Sequence, residues 1–172
     1  MKQIDDFRGQ YFFLSNFYPV SIEFEGQRYD SVEHAFQAAK TVYATERLQF
    51  QRPGITAGQA KRLGRQVTLR SDWEANKTLI MMILIRYKFS DVYVPMQGRL
   101  LETGDAKLVE GNYHHDNWWG DCYCNDGLPD RVRQVKPACK AEGKNWLGQL
   151  LMVVREHLQA ERTQTDHFRT EA

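Results

Sequence analysis

Apolar and polar positions alternate from Val20 to Phe24, where Val20, Ile22 and Phe24 are separated by Ser21 and Glu23. That two-residue period predicts a half-buried strand, and Gly26 followed by Gln27 to Tyr29 predicts its return as a short hairpin. The period then changes: Val32, Ala35, Phe36 and Ala39 fall at i, i+3, i+4 and i+7 behind Asp30 or Ser31 as a capping oxygen, which predicts an amphipathic helix. Pro53-Gly54 breaks the chain, Thr56 can cap a short helix over Ala57 to Leu63, and Gly64 can close it. From Trp73 to Phe89 apolar residues cover nearly the whole helical circumference, which predicts a central, buried helix. A further helix is expected from Val94 to Glu102, stopped by Thr103-Gly104, with a strand over Lys107 to Glu110. His114 to Lys140 holds no sustained period and reads as a long irregular segment of the kind that often carries function. Leu147, Leu150, Leu151, Val154 and Leu158 then form one stripe of a last helix after Asn145, and the polar chain beyond Gln159 is expected to fray. The pattern predicts an α+β fold: a single compact, helix-rich domain over residues 1–158 with a small β-sheet or hairpin, then a polar tail over 159–172.

Composition narrows the functional classes. A chain of 172 residues, 42% hydrophobic and 12% aromatic, can bury one good core. Its formal charge of +1 excludes a chain-wide basic field, so nucleic-acid contact would need a local patch. Lys2, Asp5, Asp6 and Arg8 interrupt any signal-peptide core, and the longest apolar run, Leu79 to Ile85, is far below bilayer length, so no membrane partner is expected. Three cysteines form an odd set without secretory context, which predicts reduced thiols in a cytoplasmic protein.

Several residues can carry chemistry. Glu33, Gln37 and Lys40 lie at i, i+4 and i+7 and place a carboxylate, an amide and an ammonium on one helix stripe, although the same spacing describes a solvated helix face. Trp73 and the Trp118-Trp119 pair offer flat surfaces for stacking a base, or fill the core as tryptophan commonly does. Trp119-Gly120-Asp121 joins an indole, a glycine and a carboxylate inside the irregular segment, where Asp121 can equally cap its own turn. Cys122, Cys124 and Cys139 with His114-His115 have the elements of a zinc site, but a tight C-x-C and a remote third cysteine depart from the usual spacing, so no metal is expected. Phosphate-loop, dinucleotide and nucleophile-elbow fingerprints are absent, and no cofactor is expected. Arg8, Lys40, Lys61, Arg62 and Arg65 are cations that can hold a phosphate or simply be solvated.

In chain order the sequence carries Phe13-Leu14-Ser15-Asn16-Phe17, Ser31-x-Glu33-His34-x-Phe36-Gln37-Ala38-x-Lys40, Gly64-Arg65, Trp73, Met81 and Lys88-Phe89. It continues with Leu108-Val109-Glu110, Asp116, Trp119-Gly120-Asp121 and Gly143-x-Asn145-x-Leu147-Gly148-x-Leu150-Leu151-Met152-x-Val154-Arg155. This series resembles the YbiA-like, or NADAR, family of N-glycosidases over nearly the whole chain; the segment between Cys124 and Gly143 departs from the family pattern. The resemblance implies a YbiA-like fold and cleavage of a bond between ribose C1 and nitrogen. Two substrate groups follow from it: a phosphoribosylamino-pyrimidine intermediate of riboflavin synthesis, or ADP-ribose attached to guanine in nucleic acid. It implies Glu33, Asp121 and Lys40 as catalytic residues, with Asn16, Gln37, Trp73 and Trp119 binding substrate, and Lys88 and Arg8 are read beside them as further substrate-binding candidates. Glu33 and Asp121 are then expected to act as the two carboxylates common in glycoside hydrolysis. In a variant route Lys40 or Lys88 forms an imine with ring-opened ribose. Competing readings are a non-catalytic ADP-ribose or NAD-binding module, and a zinc-stabilised nucleic-acid adaptor.

Overall fold

The computed structural model describes residues 2–124 and 142–170, the last six by backbone alone. Cys139 and residues 125–140 of the irregular segment therefore lie outside the described residues. In chain order the elements are β1 (Gln3–Ile4), β2 (Ile22–Phe24), β3 (Gln27–Tyr29), α1 (Val32–Ala38), α2 (Ala44–Arg47), α3 (Ala57–Leu63), α4 (Trp73–Lys88), α5 (Val94–Leu101), β4 (Lys107–Leu108), β5 (Gly111–Asn112), β6 (Asp121–Cys122) and α6 (Trp146–Thr170). The α+β class expected from the pattern is the class observed, with three two-stranded sheets among the described residues. Contacts divide the chain into two compact units, residues 16–97 and residues 1–15 with 98–172. Among the described residues no helix is long and apolar enough to cross a membrane.

In the unit of residues 16–97, β2 and β3 pair antiparallel with Ile22 opposite Tyr29 and Phe24 opposite Gln27. The two-residue turn needs left-handed backbone at both positions, and Glu25 (φ 49°) and Gly26 (φ 73°) supply it. Ser31 caps α1, its Oγ accepting the His34 N–H at 3.4 Å. This helix packs against α3 and α4, with Val32 and Ala35 fully buried. Thr56 and Gln59 form a reciprocal capping box at the start of α3. Gly64 ends α3 in right-handed conformation (φ −63°), so its backbone makes no demand for glycine.

The expectation that α4 is buried all round is corrected. Ile80, Met81, Leu84 and Ile85 form its buried stripe, while Leu79 (58% exposed) and Ile83 (46%) sit one turn apart on the outer face. A run without polar residues hides which face turns inward, because the sequence offers no contrast between the two.

In the other unit, β1 and β4 pair parallel with Ile4 opposite Leu108, and β5 and β6 pair parallel with Asn112 opposite Cys122. The strand expected over Lys107 to Glu110 is thus shorter, and the chain changes sheet before Gly111. The stripe of α6 is as expected, with Leu147, Leu150, Leu151 and Val154 buried. That helix continues to Thr170, beyond the point at which polar sequence predicts fraying. Asn145 precedes it in left-handed conformation (φ 49°). Its Nδ2 donates to the Leu108 carbonyl at 2.8 Å and its Oδ1 accepts the Glu110 N–H at 3.0 Å, tying the helix start to the strand region.

Candidate active site

The stripe on α1 is not a solvated face. Glu33 and Gln37 are 5% and 4% exposed, and Gln37 Nε2 donates to Glu33 Oε1 at 2.8 Å. The i, i+4 spacing predicted for the pair is what lets the amide hold the carboxylate in one orientation. The Glu33 N–H, near the start of α1, donates to the Asn16 carbonyl at 3.0 Å, while Asn16 Nδ2 approaches Met81 Sδ at 3.5 Å. Asn16 therefore anchors the helix turn that carries Glu33. His34 faces away from this chemistry: its Nδ1 meets Ser31 Oγ at 2.8 Å and its Nε2 meets the Ile55 carbonyl at 3.0 Å.

Lys40, expected on the same helix stripe, lies beyond the end of α1 in the turn that closes it, where the Lys40 N–H donates to the Gln37 carbonyl at 3.3 Å. Its Nζ reaches the Gly64 carbonyl at 3.4 Å and lies 5.8 Å from the centre of the Trp73 ring. Burial pushes the ammonium below its usual pKa; Glu33 opposes that shift, and Lys61 and Arg65 add to it. Trp73 is buried and packs on Phe36 with ring centres 5.0 Å apart, forming a wall beside Lys40. Lys88 is also buried, with Nζ 5.5 Å from the Tyr18 ring centre.

Gly64 was read from sequence as a helix stop, and its second role was missed. A Cβ there would overlap Gln37 Oε1 and come within 2.7 Å of Gln37 Cδ. The glycine makes room for the amide that holds Glu33. Gln37 Oε1 is buried against Gly64 without a hydrogen-bond partner among the described residues. Beside the same helix, a cleft of about 560 Å³ is lined by Arg52, Gln59, Arg62 and Gln66. Of these only Arg62 stood out in the sequence; the turn at Pro53-Gly54 and the two ends of α3 bring them together.

Arg8, Trp119 and Asp121 belong to the other unit. Arg8 is exposed, 3.5 Å from Asp6, beside a small cavity of about 140 Å³. Asp121 is half-buried, and its Oδ1 accepts the Gly143 N–H at 2.8 Å. Trp119 is half-buried on a turn whose form is set by Asp116, because Asp116 Oδ1 accepts the N–H groups of Trp118 and Trp119 at 3.3 and 3.0 Å. Gly120 allows the close approach of β5 and β6, since a Cβ there would overlap the Glu110 carbonyl. His115, Cys122 and Cys124 come together in this region, although their spacing argued against it.

The NADAR domain profile matches residues 5–159. Over 152 residues the chain is 33% identical to the N-glycosidase YbiA of Escherichia coli, covering 87% of this chain and 82% of that protein. An N-glycosidase of Nostoc punctiforme is 34% identical over 149 residues, 84% of each chain. A riboflavin biosynthesis protein of Vibrio vulnificus is 39% identical over 150 residues, 86% of this chain, which spans 35% of that protein's length. The NMR structure of Escherichia coli YbiA matches with a TM-score of 0.74 at 32% identity, covering 95% of this chain and 89% of that one.

Proposed function

The chain belongs to the NADAR domain family, and from that membership we propose that it hydrolyses the bond between ribose C1 and nitrogen in a phosphoribosylamino-pyrimidine. The observation that carries this reading is the buried Glu33 held by Gln37 next to Lys40 and Trp73. Cleavage builds positive charge at C1, and a fixed carboxylate in a water-poor setting offsets that charge and orients or deprotonates the attacking water. The cleft beside α3, which Glu33 and Gln37 do not line, offers the guanidinium groups of Arg52 and Arg62 as the proposed seat of the phosphate. Lys88, Asn16, Trp119 and Arg8 remain proposed binding residues, and Asp121 a proposed second carboxylate. The choice of pyrimidine rests on the riboflavin biosynthesis name of the Vibrio vulnificus relative.

The depressed pKa of Lys40 favours a covalent variant of the same hydrolysis. Ring opening leaves C1 as an imine of the pyrimidine amine. The Lys40 amine adds to C1, its proton passes to the leaving nitrogen, and the pyrimidine amine departs; water then hydrolyses the lysine imine to ribose aldehyde and free amine.

Mass spectrometry of reactions with a phosphoribosylamino-pyrimidine and with ADP-ribosylated guanine in DNA, run side by side, tests the proposal. Release of ribose phosphate from the first is expected. Binding without turnover of either substrate would overturn it in favour of a binding module. Borohydride added during turnover is expected to leave a sugar adduct on Lys40, and turnover with no adduct would remove the covalent variant alone.

A further inference from the structure

We propose that His115, Cys122 and Cys124 form a binding site for a thiophilic divalent metal ion, zinc by the chemistry of its donors. One ligand atom from each residue lies within 4.8 Å of the other two, and Cys122 Sγ is 4.0 Å from His115 Nδ1. A tetrahedral zinc with sulfur at about 2.3 Å and nitrogen at about 2.0 Å needs its donors roughly 3.5–3.8 Å apart. Side-chain rotations of the order of 1 Å close that difference.

The C-x-C spacing is unusual for zinc because the familiar knuckles wrap a turn around the ion. Here Cys122 ends β6 and Cys124 follows two residues on in a turn, and their thiols and the His115 ring come within 4.8 Å of one another. Two thiols this close are a two-point chelate, and the third donor must come from elsewhere.

The preceding turn is built to deliver it. His115 is held in left-handed backbone (φ 69°), a conformation that side chains other than glycine adopt at a cost. Buried Asn112 holds it there: its Oδ1 accepts the N–H groups of His114 and Asp116 at 3.2 and 3.1 Å, and its Nδ2 donates to the Asp116 carbonyl at 2.8 Å. Asn117 Oδ1 accepts the Cys122 N–H at 2.9 Å and docks the turn on the strand.

Electrostatics favour a divalent ion. Two thiolates, a neutral imidazole and one divalent cation sum to zero charge, so burial of Cys124 (8% exposed) carries no net ionic penalty. Binding takes one metal ion, releases the two thiol protons to solvent, and leaves a fourth position for water or another donor. Asp121 precedes Cys122 in β6 and projects to the opposite face, so the metal acts on it by fixing the strand and not by coordination.

The test uses untagged full-length protein, reduced and stripped by chelator, then titrated with zinc. About one zinc per chain is expected, with release of about two protons per ion at a pH where free thiols are protonated. Cobalt in place of zinc should give intense thiolate-to-metal charge-transfer absorption. Peptide mass spectrometry after alkylation should show zinc protecting Cys122 and Cys124, a result that needs no variant to fold. Loss of His115 in His115→Ala should weaken binding at least about tenfold, and Cys122→Ser with Cys124→Ser should abolish it. Zinc binding below about a tenth of an equivalent, or binding that leaves both thiols alkylated at the unprotected rate, overturns the proposal.

Discussion

Glu33, Gln37 and Gly64 form a chain of dependence in which each residue's role is set by the next. The Gln37 amide is pinned on Glu33 at 2.8 Å, and the space it needs exists because residue 64 has no Cβ. Gly64→Ala should therefore destabilise the protein by about 1–3 kcal/mol in thermal or denaturant unfolding, the usual range for an overpacked interior. Adding Gln37→Ala should relieve that loss, and an unrelieved double variant would place the strain elsewhere. Glu33→Gln keeps an oxygen for the Gln37 amide while removing the charge, so kcat/KM should fall about 10²–10⁴-fold with melting unchanged. For Asp121 the contrast is different: Asp121→Asn can still accept the Gly143 N–H, so a rate loss in that variant would report charge and not the turn. Lys40 bears on pH. Its folded pKa lies below the unfolded value of 10.5, so the unfolded chain binds more protons between the two, and this residue's contribution to stability rises with pH across that window. Lys40→Met should melt higher than wild type near neutral pH, by a margin that shrinks as pH approaches 10.5. A constant margin would mean that packing, not protonation, sets it.

At the scale of elements, Asn145 shows how one residue joins a helix to a strand region. It supplies the left-handed backbone before α6 and two side-chain hydrogen bonds, to the Leu108 carbonyl and the Glu110 N–H. Asn145→Ala loses all three and should cost about 2–4 kcal/mol, while Asn145→Gly keeps the backbone preference and should cost less, as unfolding midpoints would show. Equal losses in the two variants would assign the whole effect to the hydrogen bonds. The sequence marks this junction only by a polar residue before an apolar stripe. Elements with contrast along the chain were legible: the alternation from Val20 to Phe24 with Gly26, a cap at Asp30 or Ser31, the cap at Thr56, and the stripe of α6. Those whose information lies in another segment were not. The exposed face of α4, the overlap that makes Gly64 necessary and the convergence of His115 with Cys122 and Cys124 all depend on contacts distant in sequence. The polar stripe of α1 was legible as geometry, but its burial was not, because a spacing says which residues share a face and not what covers that face.

Over the whole molecule, the family match spans residues 5–159 and so takes in parts of both contact units. The charge balance is set at the same scale: 23 basic and 22 acidic side chains leave a formal charge of +1. A nucleic-acid substrate would have to be gathered by local cations, and the cleft on α3 supplies two, Arg52 and Arg62. Each phosphate neutralised on duplex DNA contributes about −0.9 to the slope of log affinity against log salt, so DNA held by the Arg52 and Arg62 pair alone should show a slope of about −2. A small phosphoribosyl substrate escapes that handicap, because one phosphate is matched by the two guanidinium groups and the remaining recognition is short-range. Two measurements then follow together. The value of kcat/KM for a phosphoribosylamino-pyrimidine should exceed that for ADP-ribosylated guanine in DNA, and Arg52→Ala with Arg62→Ala should raise KM for the small substrate about tenfold or more while leaving kcat near wild type. If instead the DNA substrate is preferred and its salt slope is near −4 or steeper, further cations such as Lys61 and Arg65 must join the contact, and the small-molecule assignment fails.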